Sequence, residues 1–223
     1  MPEERRKKTE LLLYCAAIYV GWTALEFLLR PQIDRIPNAW ITTLLWTVIL
    51  KNAVFTVPAL LMIKRWSSGV SVTLREMFLS AVDWRKYLPL FALFTVCILA
   101  MDYFAHGKLG VSGTFTYPDM ISMLFAGLTE ETAFRGWLLN AVIKGKTKKQ
   151  IWLLIILNSV LFLLMHFPIW LYEGVFSENF TDFWFLGVLG LSILFSWAFI
   201  KSRNILLPVF LHLYWDLLTL LFV

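Results

Sequence analysis

Marked for apolar and polar positions, the chain divides into seven long apolar stretches separated by short charged ones: residues 11–29, 39–63, 87–103, 119–143, 151–167, 183–200 and 205–223. A helix rises about 1.5 Å per residue and a bilayer core is about 30 Å thick, so about 20 apolar residues cross it. Each stretch is near that length and is predicted to be a transmembrane helix. Residues 66–86 read differently. In "SVTLREMFLSAVDWRKY" apolar and charged residues mix at helical spacing, the pattern of an amphipathic helix lying along the inner interface. No internal repeat, low-complexity tract or linker interrupts this order. The expected fold is all-α, a polytopic membrane helix bundle of about seven transmembrane helices plus an interfacial amphipathic helix, forming one integral membrane domain over 1–223.

Composition agrees with that reading. The chain is 59% hydrophobic and 17% aromatic, with a mean hydropathy of +0.71, too apolar for a soluble domain with a wet surface. The net charge of +5 comes from short basic clusters between apolar stretches, a distribution that marks membrane topology and excludes a nucleic-acid role. Cys15 and Cys97 both lie inside apolar stretches and read as small buried hydrophobes, not as a disulfide framework. The basic start "MPEERRKK" before "LLLYCAAIYVGWTALEFLL" resembles a signal peptide, but the apolar run is long enough to span and has no clear cleavage site, so a retained first helix is expected.

Lys and Arg excess marks the cytoplasmic side. With the N-terminus inside, the inner segments hold fifteen basic residues: Arg5, Arg6, Lys7 and Lys8; Lys64, Arg65, Arg75, Arg85 and Lys86; Lys144, Lys146, Lys148 and Lys149; Lys201 and Arg203. The outer segments hold three, Arg30, Arg35 and Lys108. The predicted topology is therefore multi-pass, with a cytoplasmic N-terminus and an outer C-terminus.

An ionisable side chain at mid-bilayer costs about 2.5–3.5 kcal/mol on insertion scales, so such residues face a bundle interior or a wet cavity. Here they are Glu26, Lys51, Glu130, Glu131, Arg135, His166, His212 and Asp216. Glu26 and Arg30 are four apart near the outer end of the first helix and read as a structural pair. Lys51 reads as a counter-charge to one of the acids or as the mark of a break between two short helices. The other six fall on three helices. Glu131 and Arg135 are i and i+4 and can neutralise one another, whereas Glu130 is turned about 100° away and is left without a local partner. "FLLMH" puts Phe162 and His166 on one face, and "HLYWD" does the same for His212 and Asp216. Counted from the inner helix ends, Glu130 lies about 21 Å deep, His166 about 24 Å, His212 about 12 Å and Asp216 about 18 Å, so all fall in one middle layer.

That set has the chemistry of a hydrolase. Glu130 as general base, with His166 holding the same water, can deliver hydroxide to a carbonyl, while His212, and Asp216 when protonated, face the tetrahedral oxyanion as donors. No His-Glu-x-x-His is present, and no Ser or Cys sits in a nucleophile motif. Glu-Glu-x-x-x-Arg at Glu130, Glu131 and Arg135, Phe-x-x-x-His at Phe162 and His166, and His-x-x-x-Asp at His212 and Asp216 together resemble the three motifs of the CAAX-protease and bacteriocin-processing family. That family includes the type II CAAX prenyl endopeptidases, and the resemblance covers about 119–220. It implies an intramembrane glutamic endopeptidase in which Glu130 and His166 activate water and His212 and Asp216 form the oxyanion hole. Glu131, Arg135 and Phe162 would support them. The implied partners are the bilayer and a peptide or membrane-protein substrate, with no cofactor. The alternative is zinc, held by Glu130, His166 and His212. Two departures stand out: the prenyl endopeptidases carry Asn where this chain has Asp216, and the best-known members have eight spans. Two other classes fit the same residues less well, a non-catalytic immunity or scaffold protein of the same fold and a proton-coupled transporter.

Overall fold

In the computed structural model the described residues are 2–111, 113 and 115–222, and they fold into helices joined by short turns. The principal ones are α1 (Glu4–Ile33), α2 (Ala39–Arg65), α4 (Trp84–His106), α6 (Lys148–Tyr172), α8 (Trp184–Ser202) and α9 (Leu206–Phe222). Between α4 and α6 runs α5, which is α-helical over Tyr117–Glu131, widens into π turns over Thr132–Leu139 and closes with Asn140–Ile143. Two short helices complete the order, α3 (Leu74–Leu79) and α7 (Phe176–Thr181). The seven long helices match the seven apolar stretches. Helices α1, α2, α4, α6 and α8 are long and apolar enough to cross a membrane; α9 is apolar but shorter. Helix α5 carries Asp119, Glu130, Glu131 and Arg135. The protein is an integral membrane protein.

Helical backbone is what a bilayer imposes, because lipid offers no partner for a peptide group. The side chains are sorted accordingly. Leu12, Val20, Leu61 and Val96 are exposed on the outside of the bundle, where lipid replaces water. Glu26, Glu131, Arg135, Asn140, Asn158, Ser192 and Ser196 are buried inside it. Helix α9 packs against α4, α5 and α8, and α6 packs against α8, α5 and α1, so the three motif-bearing helices α5, α6 and α9 form the centre. Gly127 permits the tightest of these approaches: a Cβ there would lie 3.3 Å from the Val209 carbonyl and 3.5 Å from the His212 Cβ.

The interfacial segment departs from expectation. Residues 66–86 do not form one amphipathic helix; α3 covers only six residues, Leu74–Leu79, and a 3-10 turn over Trp84–Tyr87 opens α4. The reason lies in the caps. Thr73 and Glu76 form a reciprocal capping box that starts the helix, and the carboxylate, accepting from the Thr73 N–H and hydroxyl, is held below the usual carboxylate range. The other end is captured from afar, the Met77 carbonyl by the Ile205 N–H at 2.8 Å and the Ser80 carbonyl by Asn204 Nδ2 at 2.6 Å. Upstream, buried Asn140 pairs with both backbone groups of Val72, accepting from its N–H at 2.8 Å and donating to its carbonyl at 2.8 Å. The segment is thus pinned to the C-terminal end of α5 and the start of α9 as a broken strap.

Candidate active site

Helix α5 supplies the first group of charges. The Arg135 guanidinium is fully buried and donates to Glu131 Oε1 at 3.0 Å, to the Ser192 carbonyl at 2.9 Å, to Ser192 Oγ at 2.6 Å and to Ser196 Oγ at 3.3 Å. Its flat face lies 4.4 Å from the centre of the Phe162 ring. The i, i+4 pair expected from the sequence is therefore present, and α8 adds two serines at the same spacing to hold it. The π turns over Thr132–Leu139 follow directly after Glu131, so the backbone is wide where this network is built.

Helix α9 brings His212 to the same carboxylate. His212 Nδ1 is 2.9 Å from Glu131 Oε1, and because an ionised carboxylate only accepts, that nitrogen carries the proton. Nε2 is then the atom facing Asp216 Oδ2 at 3.4 Å and Glu130 Oε2 at 4.0 Å. Phe195 stacks on the imidazole with ring centroids 5.1 Å apart and planes 23° from parallel, which fixes the ring's plane.

Glu130 points away from Arg135, as helix geometry predicts, yet it has partners. Lys51 Nζ of α2 lies 3.6 Å from Oε1 while His212 approaches Oε2, so each carboxylate oxygen faces a different nitrogen. On α6, His166 Nδ1 donates to the Phe162 carbonyl at 2.9 Å, and its ring packs 4.9 Å from the Phe162 centroid. Glu130 and His166 both line a cavity of about 170 Å³, with Trp22, Lys51, Phe55, Thr129, Met165 and Ile169 completing the wall. Phe162 links the groups, touching Arg135, His166 and His212. All seven residues singled out from the three motifs thus meet in one region of the bundle interior.

Zinc was the alternative occupant of Glu130, His166 and His212. The donor types suit it, since both histidines tie Nδ1 to an acceptor as a ligating imidazole does, although His212 Nε2 already faces Asp216 and Glu130. The spacing does not: among the described residues no group of three His, Cys, Asp or Glu side chains is placed to hold one ion.

Three contributors escaped the sequence reading. Ser192 and Ser196 stand four apart in apolar "LSILFSWAF", a polar stripe that could have marked α8 as part of the site. Phe195 between them carries no such signal. Lys51 was singled out, but its acid was not identified.

A cluster of carboxylates, histidines and an arginine, drawn from three helices and beside a small cavity, defines a membrane protein with a polar cluster inside its bundle. The family described as "Type II CAAX prenyl endopeptidase Rce1-like" matches residues 112–218. That segment, a little under half of the chain, holds all three motifs, and it is over this segment that the chain is similar to that family. Neither a curated protein nor a solved structure matches the chain. The activity that this description names is that of an endopeptidase.

Proposed function

We propose that this protein is an endopeptidase of the glutamic type, cleaving a peptide bond of a membrane-associated peptide or protein with water activated by Glu130 and His166. The observation that carries the reading is that Glu130 shares one small cavity with His166 while its far oxygen faces His212, so the base stands between the water-holding imidazole and the oxyanion donor.

A water in that cavity gives one proton to the Glu130 carboxylate, and its oxygen attacks the substrate carbonyl carbon, with His166 Nε2 accepting a hydrogen bond from the water's other O–H. The carbonyl oxygen becomes an oxyanion, which accepts a hydrogen bond from His212 Nε2–H of the imidazolium. Collapse of the intermediate breaks the C–N bond, and the proton on Glu130 passes to the leaving amine. Asp216, 3.4 Å from His212 Nε2, and Glu131, 2.9 Å from Nδ1, balance the imidazolium charge. Arg135 neutralises Glu131 and, through Phe162, braces both histidines. The bilayer delivers the substrate laterally.

The test uses purified protein reconstituted in vesicles with a library of membrane-inserted fluorogenic peptides, in the presence and absence of a strong chelator. Chelator-independent cleavage, lost in His166→Ala and His212→Ala, is the expected result. Cleavage untouched by both substitutions would defeat the mechanism, and cleavage abolished by chelation and restored by zinc would replace it with a metalloenzyme.

A further inference from the structure

We infer that Lys51 is a positioning residue of the hydrolytic site, whose ammonium holds Glu130 ionised and fixes where its carboxylate lies; this rests on the proposed role of Glu130 as the base. Lys51 stands on α2, outside the matched family segment 112–218, so nothing in the family resemblance assigns it.

The argument begins with place. Lysines in membrane helices usually extend along apolar surface until the charged end reaches water. Lys51 instead sits between the π turns Leu44–Leu50 and Asn52–Thr56, and its side chain is only 13% exposed. Its ammonium faces Glu130 Oε1 at 3.6 Å on one side and the Trp22 ring at 4.9 Å on the other. Asn52 donates to the Val48 carbonyl at 2.9 Å, taking up a backbone acceptor where the helix is widened. The charge thus ends on the wall of the Glu130 and His166 cavity.

The second step is assignment of cations to acids. Glu130, Glu131 and Asp216 are the carboxylates around the site, and Arg135, Lys51 and His212 face them. Arg135 is committed to Glu131, Ser192 and Ser196. His212 gives Nδ1 to Glu131 and divides Nε2 between Asp216 and Glu130. Lys51 is the fixed cation left for Glu130. A carboxylate in an apolar interior without such a partner takes up a proton, and a protonated carboxyl cannot accept one from water. With Lys51 on Oε1 and His212 near Oε2, the base is also held between two helices, α2 and α9.

Lys51→Met, Lys51→Arg, Lys51→Gln, Glu130→Gln and the double variant Lys51→Met/Glu130→Gln are purified in detergent and examined by infrared difference spectroscopy of the carboxyl stretch. Lys51→Met is expected to show a protonated carboxyl band, absent from wild type and Lys51→Arg and removed by Glu130→Gln. A folded Lys51→Met without that band, or Lys51→Arg with an equal one, overturns the inference. Should Lys51→Met not fold, Lys51→Gln is held to the same two outcomes. On a peptide that wild type cleaves, Lys51→Met should lower kcat about 10²-fold with KM within about twofold, and Lys51→Arg should recover most of the loss. Equal loss in both variants, the result of a packing role, overturns it too. A wild type that cleaves nothing refutes the hydrolytic reading, while the carboxyl band still decides what Lys51 does to Glu130.

Discussion

Arg135→Met tests whether the buried network is the frame of the site. The substitution removes a guanidinium with no solvent exposure that donates to Glu131, Ser192 and Ser196 and lies on Phe162. Methionine roughly matches the stem, so the loss is of charge and hydrogen bonds more than of packing. What remains is Glu131, equally unexposed, with His212 Nδ1 as its surviving donor. Breaking a buried pair by removing one partner costs about 3–5 kcal/mol, because it leaves an uncompensated buried charge. Adding Glu131→Gln neutralises that charge, so the double variant should recover part of the loss, with a coupling energy of about 1–3 kcal/mol. The assay is reversible unfolding in mixed micelles of native and denaturing detergent, followed by fluorescence of the chain's 11 tryptophans. An Arg135→Met variant within about 1 kcal/mol of wild type would refute the reasoning. So would a double variant whose loss equals the sum of the two single losses.

Three further outcomes are expected. Asn140→Ala strips both bonds to Val72 and the one to the Gly136 carbonyl, and should cost about 1–3 kcal/mol in the same assay, with faster proteolysis in residues 66–73; unchanged proteolysis would deny that Asn140 pins the strap. Gly127→Val, placed 3.3 Å from the Val209 carbonyl, should push α9 from α5 and cut cleavage more than it cuts stability, since His212 rides on the displaced helix; intact cleavage contradicts the close approach. Glu76 is held below the ordinary carboxylate range by Thr73, so its stabilising contribution is present above that range and is lost as pH falls through the lowered value. Glu76→Ala should therefore melt below wild type at neutral pH and together with it in acid, and a gap that stays constant with pH would show that the charge is not involved.

Much of the architecture is legible in the pattern of apolar residues because lipid leaves a spanning chain little choice except a helix, and each long stretch becomes one. Pairs within a helix are legible for the same reason: 3.6 residues per turn brings Glu131 to Arg135, Glu26 to Arg30 and His212 to Asp216, and all three contacts are present. Contacts between helices are another matter. That Lys51 answers Glu130, and that His212 Nδ1 takes Glu131 instead of Glu130, depends on how α2 and α9 are rotated against α5, which no local spacing encodes. The same limit explains the strap. Residues 66–86 have the periodicity of an amphipathic helix, but the atoms that divide it belong to Asn140, Asn204 and Ile205, far along the chain. The π turns beside Lys51 and Glu131 leave no periodic trace, because widening a helix by one residue per turn changes few apolar positions.

Glu130→Gln bears on the central claim most directly. The amide keeps the size of the carboxyl and its reach toward Lys51 and His212 but cannot take a proton from water. On a peptide that wild type cleaves, the variant should remain folded, bind the peptide with similar affinity and lose about 10²–10⁴-fold in kcat, the range that a positioned general base contributes. A folded Glu130→Gln protein that cleaves at the wild-type rate would contradict the account.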